Sequence, residues 1–340
     1  MKVAFIYGTR PEIIKLSPLI KKCKDKMDVC TIFTGQHSTL YEDVKDLVPD
    51  PDYYVRIPLR SSLNKISSIL FEELEGILVR EKPDVVIVQG DTTSSFCGAV
   101  VAFNIDIEVG HVEAGLRTYD IKSPYPEEFN RQVISKIATY NWCPTQEDLI
   151  NLDKEGVSGS MMVTGNTIVD FVNSKKDLFE NKEGNKVIIT LHRRENKNKF
   201  EKILKQINYF AKKQPNLKFI FPAHPNPNIQ NELKILTEKN IEIVKPMPYL
   251  DFLRLLSESL FVISDSGGIQ EECACLKKKI LVCRDTTERN SIIEIGLGLL
   301  VDDNLEPHFE WAIESFNGEF SNPYGNGNAS DLIIESLLNS

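Results

Sequence analysis

Several familiar signatures are missing from this 340-residue chain. No apolar run approaches the roughly 20 residues that span a bilayer. The opening MKVAFIYGTRPE brings the charged Arg10 and Glu12 too early for the apolar stretch of a secretory leader. A cytoplasmic protein with no membrane partner is the expectation. Neither GxGxxG nor GxxxxGKS/T occurs, which argues against hydride transfer on a nicotinamide and against a Walker nucleotide site. The seven cysteines are odd in number and contain no CxxC pair. Buried reduced thiols are therefore expected, not a disulfide framework or a zinc site. Basic charge is the scarcer sign: 40 Lys and Arg against 49 Asp and Glu leave a net charge of -9. Nucleic-acid binding normally shows the opposite balance.

What is present is alternation. Short apolar runs such as Val3–Tyr7, Cys30–Phe33, Val85–Val88 and Glu108–Val112 recur later as Val187–Ile189, Lys218–Phe221, Ile241–Val244, Leu260–Ile263 and Ile280–Val282. Near-continuous apolar strands fit a parallel sheet covered on both faces. Amphipathic windows lie between them, one carrying Ile66, Ile69, Leu70, Leu74, Ile77 and Leu78 on a single stripe. The pattern predicts an α/β protein of two Rossmann-like, doubly wound parallel-sheet domains facing a central cleft. The polar stretch from Asn173 to Asn185 marks the handover between them. We place the domains at 1–170 and 171–321, with a last helix within 322–340 returning to the first.

Charged residues gather where these strands end. Only 11 arginines occur, yet Arg10, Arg117, Arg131, Arg193, Arg194, Arg284 and Arg289 fall in short segments after predicted strands. A guanidinium fork grips phosphate or carboxylate bidentately, so a small, multiply charged anion is the implied ligand. Ser266-Gly267-Gly268 lies between a strand and a helix, where free N–H groups and the helix dipole favour an anion. Glu272, one turn into that helix, could accept ribose hydroxyls. Asp91, His111, Glu113, Glu127 and Glu128 follow strands in the first half, with Lys15 one helical turn past Pro11. His192 and Arg193 end the first strand of the second half. Carboxylates on one side of a ligand and cations on the other suit proton removal with leaving-group stabilisation. Each residue alone also fits a helix cap or an ion pair. Asp50-Pro51-Asp52 spells DxD in a Pro-broken loop and is read as structural, and His37 and His224 lack zinc-ligand spacing.

In order along the chain, GTRPEIIK (8–15), GQH (35–37), GDTT (90–93), GHVEAGLRT (110–118), SPYPEEFNRQ (123–132) and TGNTIVD (164–170) resemble one family, the non-hydrolysing UDP-N-acetylglucosamine 2-epimerases. HRREN (192–196), SDSGGIQEE (264–272), RDTTER (284–289) and NPYGNG (322–327) continue the match. The resemblance implies a glycosyltransferase B type fold, a homodimer and a place in polysaccharide biosynthesis. It implies elimination of UDP from UDP-N-acetylglucosamine to 2-acetamidoglucal and re-addition with C2 inverted, giving UDP-N-acetylmannosamine, with no redox cofactor and no required metal. By the same resemblance Asp91, Glu113 and Glu127 are acid/base candidates, supported by Lys15. His192 and Arg10 would grip the diphosphate, and Ser266, Gly267, Gly268 and Glu272 would hold UDP. An activating UDP-N-acetylglucosamine, as some members use, would meet Gln36, Arg60, Glu127, Arg193 and His224. Two alternatives stay open: another UDP-2-acetamido sugar, or a hydrolysing epimerase that releases free N-acetylmannosamine.

Overall fold

The computed structural model describes residues 1–339 apart from 36–43, 45–46, 179–183, 192–198, 224–230, 317 and 319. The chain divides into two compact units, Met1–Asn173 with Tyr324–Ser340, and Ser174–Pro323. Each is built on one wholly parallel sheet.

The first unit runs β1 (Lys2–Tyr7), α1 (Arg10–Lys24), β2 (Asp28–Phe33), β3 (Tyr53–Tyr54), α2 (Leu63–Glu81), β4 (Val85–Gln89) and α3 (Thr93–Asn104). It continues with β5 (Glu108–Val112), α4 (Glu127–Ile137), β6 (Tyr140–Cys143), α5 (Gln146–Lys154), β7 (Ser160–Val163) and α6 (Thr167–Ser174). Sheet order is β3-β2-β1-β4-β5-β6-β7, so β1 and β4 sit side by side in the interior. That placement explains their composition: all of β4 and all but Lys2 of β1 are buried. Helix α2 buries Leu70, Leu74, Ile77 and Leu78, and Ser62 caps it by accepting the Lys65 N–H at 3.3 Å. Each such side chain, fully buried, contributes about 1.5–3 kcal/mol relative to exposure.

The second unit runs β8 (Lys186–Thr190), α7 (Phe200–Lys213), β9 (Lys218–Pro222), β10 (Ile241–Val244), α8 (Tyr249–Ser257) and β11 (Ser259–Ser264). After these come α9 (Gly267–Leu276), β12 (Lys279–Val282), α10 (Asn290–Glu294), β13 (Gly298–Leu300) and α11 (Phe309–Ile313). Its order, β10-β9-β8-β11-β12-β13, repeats the Rossmann winding of the first unit. The α/β class with paired parallel sheets is thus as expected from sequence.

The chain then re-enters the first unit as α12 (Ala329–Leu338). Its start is fixed by Asp170, whose carboxylate accepts the Ala329 and Ser330 N–H groups at 3.2 and 2.9 Å. Farther along, Trp142 donates to Ser336 at 2.9 Å, and Lys22 of α1 meets Asp331 at 2.7 Å. The seven cysteines form no disulfide. Burial pushes the Cys97 thiol up to about 11 and the Cys23 and Cys30 thiols up to about 12, as suits unreactive core thiols.

Candidate active site

In sheets of this winding, ligands bind beyond the carboxyl ends of the strands near the switch in strand order. In the first unit those ends belong to β1, β4 and β5. The turn after β1 leads into α1 with Arg10 and Pro11 in its first turn, where a missing N–H costs nothing. Arg10 is half-buried and makes no hydrogen bond or ion pair with the described residues. One turn on, Lys15 points inward and forms an ion pair with Glu113, which directly follows β5. Asn166 donates its amide to the same Glu113 oxygen, Oε2, at 2.9 Å. Both ends of the ion pair are nearly shut off from solvent, the Lys15 and Glu113 side chains being 6% and 4% exposed. Glu113 also adopts φ +67°, a left-handed backbone that non-glycine residues seldom hold without reason.

Asp91 follows β4 by one glycine. Gly90 turns with φ +67°, donates its N–H to Val112 O at 2.9 Å, and meets His111 Nε2 through its carbonyl at 2.8 Å. Arg131 closes on Asp91 Oδ2 with Nε at 2.8 Å and Nη2 at 2.6 Å, while the Asn130 amide donates to the Asp91 carbonyl at 2.8 Å. His111 is wholly buried, and burial drives its imidazole down to about 4, so it is neutral at ordinary pH.

Neighbouring carboxylates divide their work. Glu127 begins α4, where the helix N-terminus favours an acid. Glu128 is fully buried and accepts the N–H groups of Thr118 and Tyr119 at 3.0 and 3.1 Å, and Arg131 Nη1 at 3.1 Å. It serves as a fastener for the 118–119 loop. Glu12 does the same elsewhere: it takes the Gly8 N–H at 3.1 Å, Thr9 Oγ1 at 2.6 Å, and the Thr92 and Ser95 hydroxyls at 2.9 Å each. One buried carboxylate thereby ties the loop after β1 to the loop after β4.

In the second unit Ser266 is the N-cap of α9, with extended backbone and a hydroxyl that makes no capping bond. Gly267 has no room for a side chain, since an added Cβ would lie 2.5 Å from Arg289 Nη1. No described residue lies within 4 Å of a Cβ added at Gly268. Glu272 is buried and accepts the Tyr249 hydroxyl at 2.6 Å.

The arginines answer differently from the anion-gripping expectation. Arg117 forks onto Glu155 at 2.8 and 2.9 Å, and Arg131 onto Asp91. Arg284 pairs with Glu288 at 2.8 Å, and Arg289 with Glu271 at 2.7 Å and with Glu288. All four are buried, and a guanidinium withdrawn from water requires just such partners. The clustering therefore reflects internal neutralisation at these positions. Arg60 is exposed, at φ +62°. Gln36, His192, Arg193, Arg194 and His224 lie outside the described residues. Asp52 of the DxD accepts the Thr31 N–H and hydroxyl, both at 2.8 Å, which ties it to β2. Glu12 and Asn166 carry no role in the sequence reading, although each stands inside a motif that does.

Two parallel sheets of Rossmann order, with Asp91 and the buried Glu113 at the carboxyl ends of adjacent strands, define an α/β enzyme. A family model described as UDP-N-acetylglucosamine 2-epimerase matches residues 21–338, and the chain belongs to that family. A UDP-N-acetylglucosamine 2-epimerase of Neisseria meningitidis serogroup A is 37% identical over 374 residues, covering 99% of both chains. That of Escherichia coli K12 is 36% identical over 374 residues, covering 100% of this chain and 99% of its own. Among solved structures, the N. meningitidis UDP-GlcNAc 2-epimerase bound to UDP-GlcNAc superposes with a TM-score of 0.91 at 34% identity, covering 100% of both chains. The Methanocaldococcus jannaschii enzyme in complex with UDP-GlcNAc and UDP gives 0.89 at 34% identity, again over 100% of both.

Proposed function

We propose that this protein interconverts UDP-N-acetylglucosamine and UDP-N-acetylmannosamine by eliminating UDP and adding it back. The observation that carries the reading is the buried Lys15–Glu113 pair at the end of β5, one strand over from the Asp91 loop. The C2 hydrogen of the sugar is not adjacent to a carbonyl, so direct deprotonation is unfavourable. Elimination avoids that difficulty. A carboxylate takes the C2 proton, the electrons form the C1–C2 double bond, and the C1–O bond to UDP breaks. Re-addition of UDP, with a proton delivered to the opposite face of C2, completes the inversion. Two faces need two proton-handling groups, and the first unit supplies three candidates, Asp91, Glu113 and Glu127.

In this reading Lys15 keeps Glu113 charged when it acts as base. The diphosphate falls to Arg10 and His192, and UDP to Ser266, Gly267, Gly268 and Glu272 at the start of α9. No redox cofactor or metal takes part. A UDP-GlcNAc activator at Gln36, Arg60, Glu127, Arg193 and His224, a homodimer, a cytoplasmic location and a place in polysaccharide biosynthesis belong to the same proposal. No helix among the described residues is long and apolar enough to cross a membrane, which accords with it.

The test is to incubate purified protein with UDP-GlcNAc and follow the anomeric protons by NMR. A new UDP-ManNAc signal with UDP retained on the sugar is expected. Free ManNAc would instead assign a hydrolysing enzyme, and unchanged UDP-GlcNAc, with turnover only when another UDP-2-acetamido sugar is offered, would reassign the specificity.

A further inference from the structure

Asn166 enters none of the roles assigned above, yet it contacts Glu113 directly. It stands between the left-handed Gly165 (φ +83°) and the first residue of α6. Its backbone N–H donates to Tyr324 O at 2.8 Å, which anchors it to the segment where the chain re-enters the first unit. Its side-chain Oδ1 accepts the Ile168 N–H at 3.0 Å, an N-cap bond for α6. That bond decides which end of the amide is which. With Oδ1 committed to the helix, Nδ2 is left facing Glu113 Oε2, and it donates there at 2.9 Å. The residue is buried, 2% exposed, so water does not substitute readily for this donor.

We infer that Asn166 is a positioning residue for the acid/base step. It fixes the rotamer of Glu113 and, together with Lys15, loads Oε2 with donors that favour the carboxylate over the acid. A hydrogen bond to a charged acceptor in a dry site is both directional and strong, so its loss leaves Glu113 present but misplaced. Besides Asn166, Lys15 from α1 is ion-paired with Glu113, and His111 from β5 and Asp148 from α5 lie within electrostatic reach of it. Of these, only Lys15 is a hydrogen-bonding cation, and it shares the same oxygen. The inference rests on Glu113 being an acid/base group, as proposed above.

Two substitutions separate positioning from helix capping. Asn166→Ser keeps a good N-cap for Ile168 but is too short to reach Glu113. Asn166→Asp keeps the cap and the shape but turns the donor into an acceptor against Oε2. Steady-state kinetics should show kcat down about 10- to 100-fold for Ser, the scale of one charge-assisted bond. The fall should be greater for Asp, with KM within about threefold of wild type in both. Thermal melting of the Ser variant should stay close to wild type. Glu113→Gln, measured alongside, separates the two ideas. If it turns over normally, the acid/base reading of Glu113 is wrong. If it is inactive while Asn166→Ser and Asn166→Asp keep wild-type kcat, the positioning role of Asn166 is wrong and the reading of Glu113 stands. A fall in kcat seen only in variants that also melt early likewise refutes positioning and leaves a cap.

Discussion

Removing the Glu12 carboxylate should loosen the first unit without touching any proposed catalytic group. Glu12 is 1% exposed and accepts four donors, from the loop after β1, the loop after β4 and the first turn of α3. In Glu12→Ala two of those donors can turn elsewhere: Ser95 already has Gln89 O at 2.6 Å, and Thr92 has Ser95 Oγ at 3.2 Å. The Gly8 N–H and the Thr9 hydroxyl are stranded. At about 1–3 kcal/mol for each buried group left unpaired, offset by no longer burying a carboxylate, the net loss is about 3 kcal/mol. Glu12→Gln keeps the shape and one acceptor, so it should lose less than half as much. Burial outweighs the four donors and holds the Glu12 carboxyl above the ordinary glutamate value of 4.5. An acid whose native value is raised stabilises fully below its unfolded value, and that contribution fades as pH rises through the native one. The advantage of wild type over Glu12→Gln should therefore shrink from pH 4 toward neutrality. Urea titration reads this cleanly in a Trp311→Phe background. Trp142, buried in β6, is then the sole tryptophan and reports the first unit. Wild-type stability in Glu12→Ala, or an advantage over Gln that grows with pH, would refute the reasoning.

Other outcomes follow from the same geometry. His111 is held near 4, below its unfolded value, so it stabilises above about 6.5 and that contribution is lost as pH falls toward 4; His111→Gln should remove that part of the acid sensitivity in a pH series of urea midpoints. Gly115 has φ +94°, and an added Cβ would lie 2.2 Å from Asp148 O. Gly115→Ala should cost at least about 3 kcal/mol or abolish soluble expression, checked by melting and yield. Arg289→Lys loses the fork that joins Glu271 and Glu288, and unfolding of the second unit, followed at Trp311, should come about 2–4 kcal/mol earlier.

Strand composition made the fold legible where strands were central and missed it at the margins. The nine apolar runs read from the sequence all became strands. β6 carries no continuous apolar run, because Tyr140-Asn141-Trp142-Cys143 puts an amide in the middle of a buried strand. β7, Ser160–Val163, is a half-exposed edge strand and likewise lacks a continuous apolar signal. β3 and β13 are edge strands of two and three residues, too short for any period to register.

For the site, motifs located the loops but not the division of labour within them. Side-chain type alone does not separate Glu127 from Glu128, or an anion-binding arginine from one that neutralises a buried glutamate. That difference lies in which partners the fold brings near. Glu113 meets Lys15 from 98 residues away, and Asn166 meets it from 53, separations that no local pattern encodes. The one local clue was that Asn166 precedes a helix, where an Asn is ordinarily read as a cap and nothing more.

The most direct test of the central claim is isotopic. Run in deuterium oxide, the wild-type reaction should place solvent deuterium at C2 of the UDP-sugar product, and Glu113→Gln should cut that incorporation by about two orders of magnitude or more while still binding UDP. Turnover in which the original C2 hydrogen is carried intact into the inverted product would contradict it.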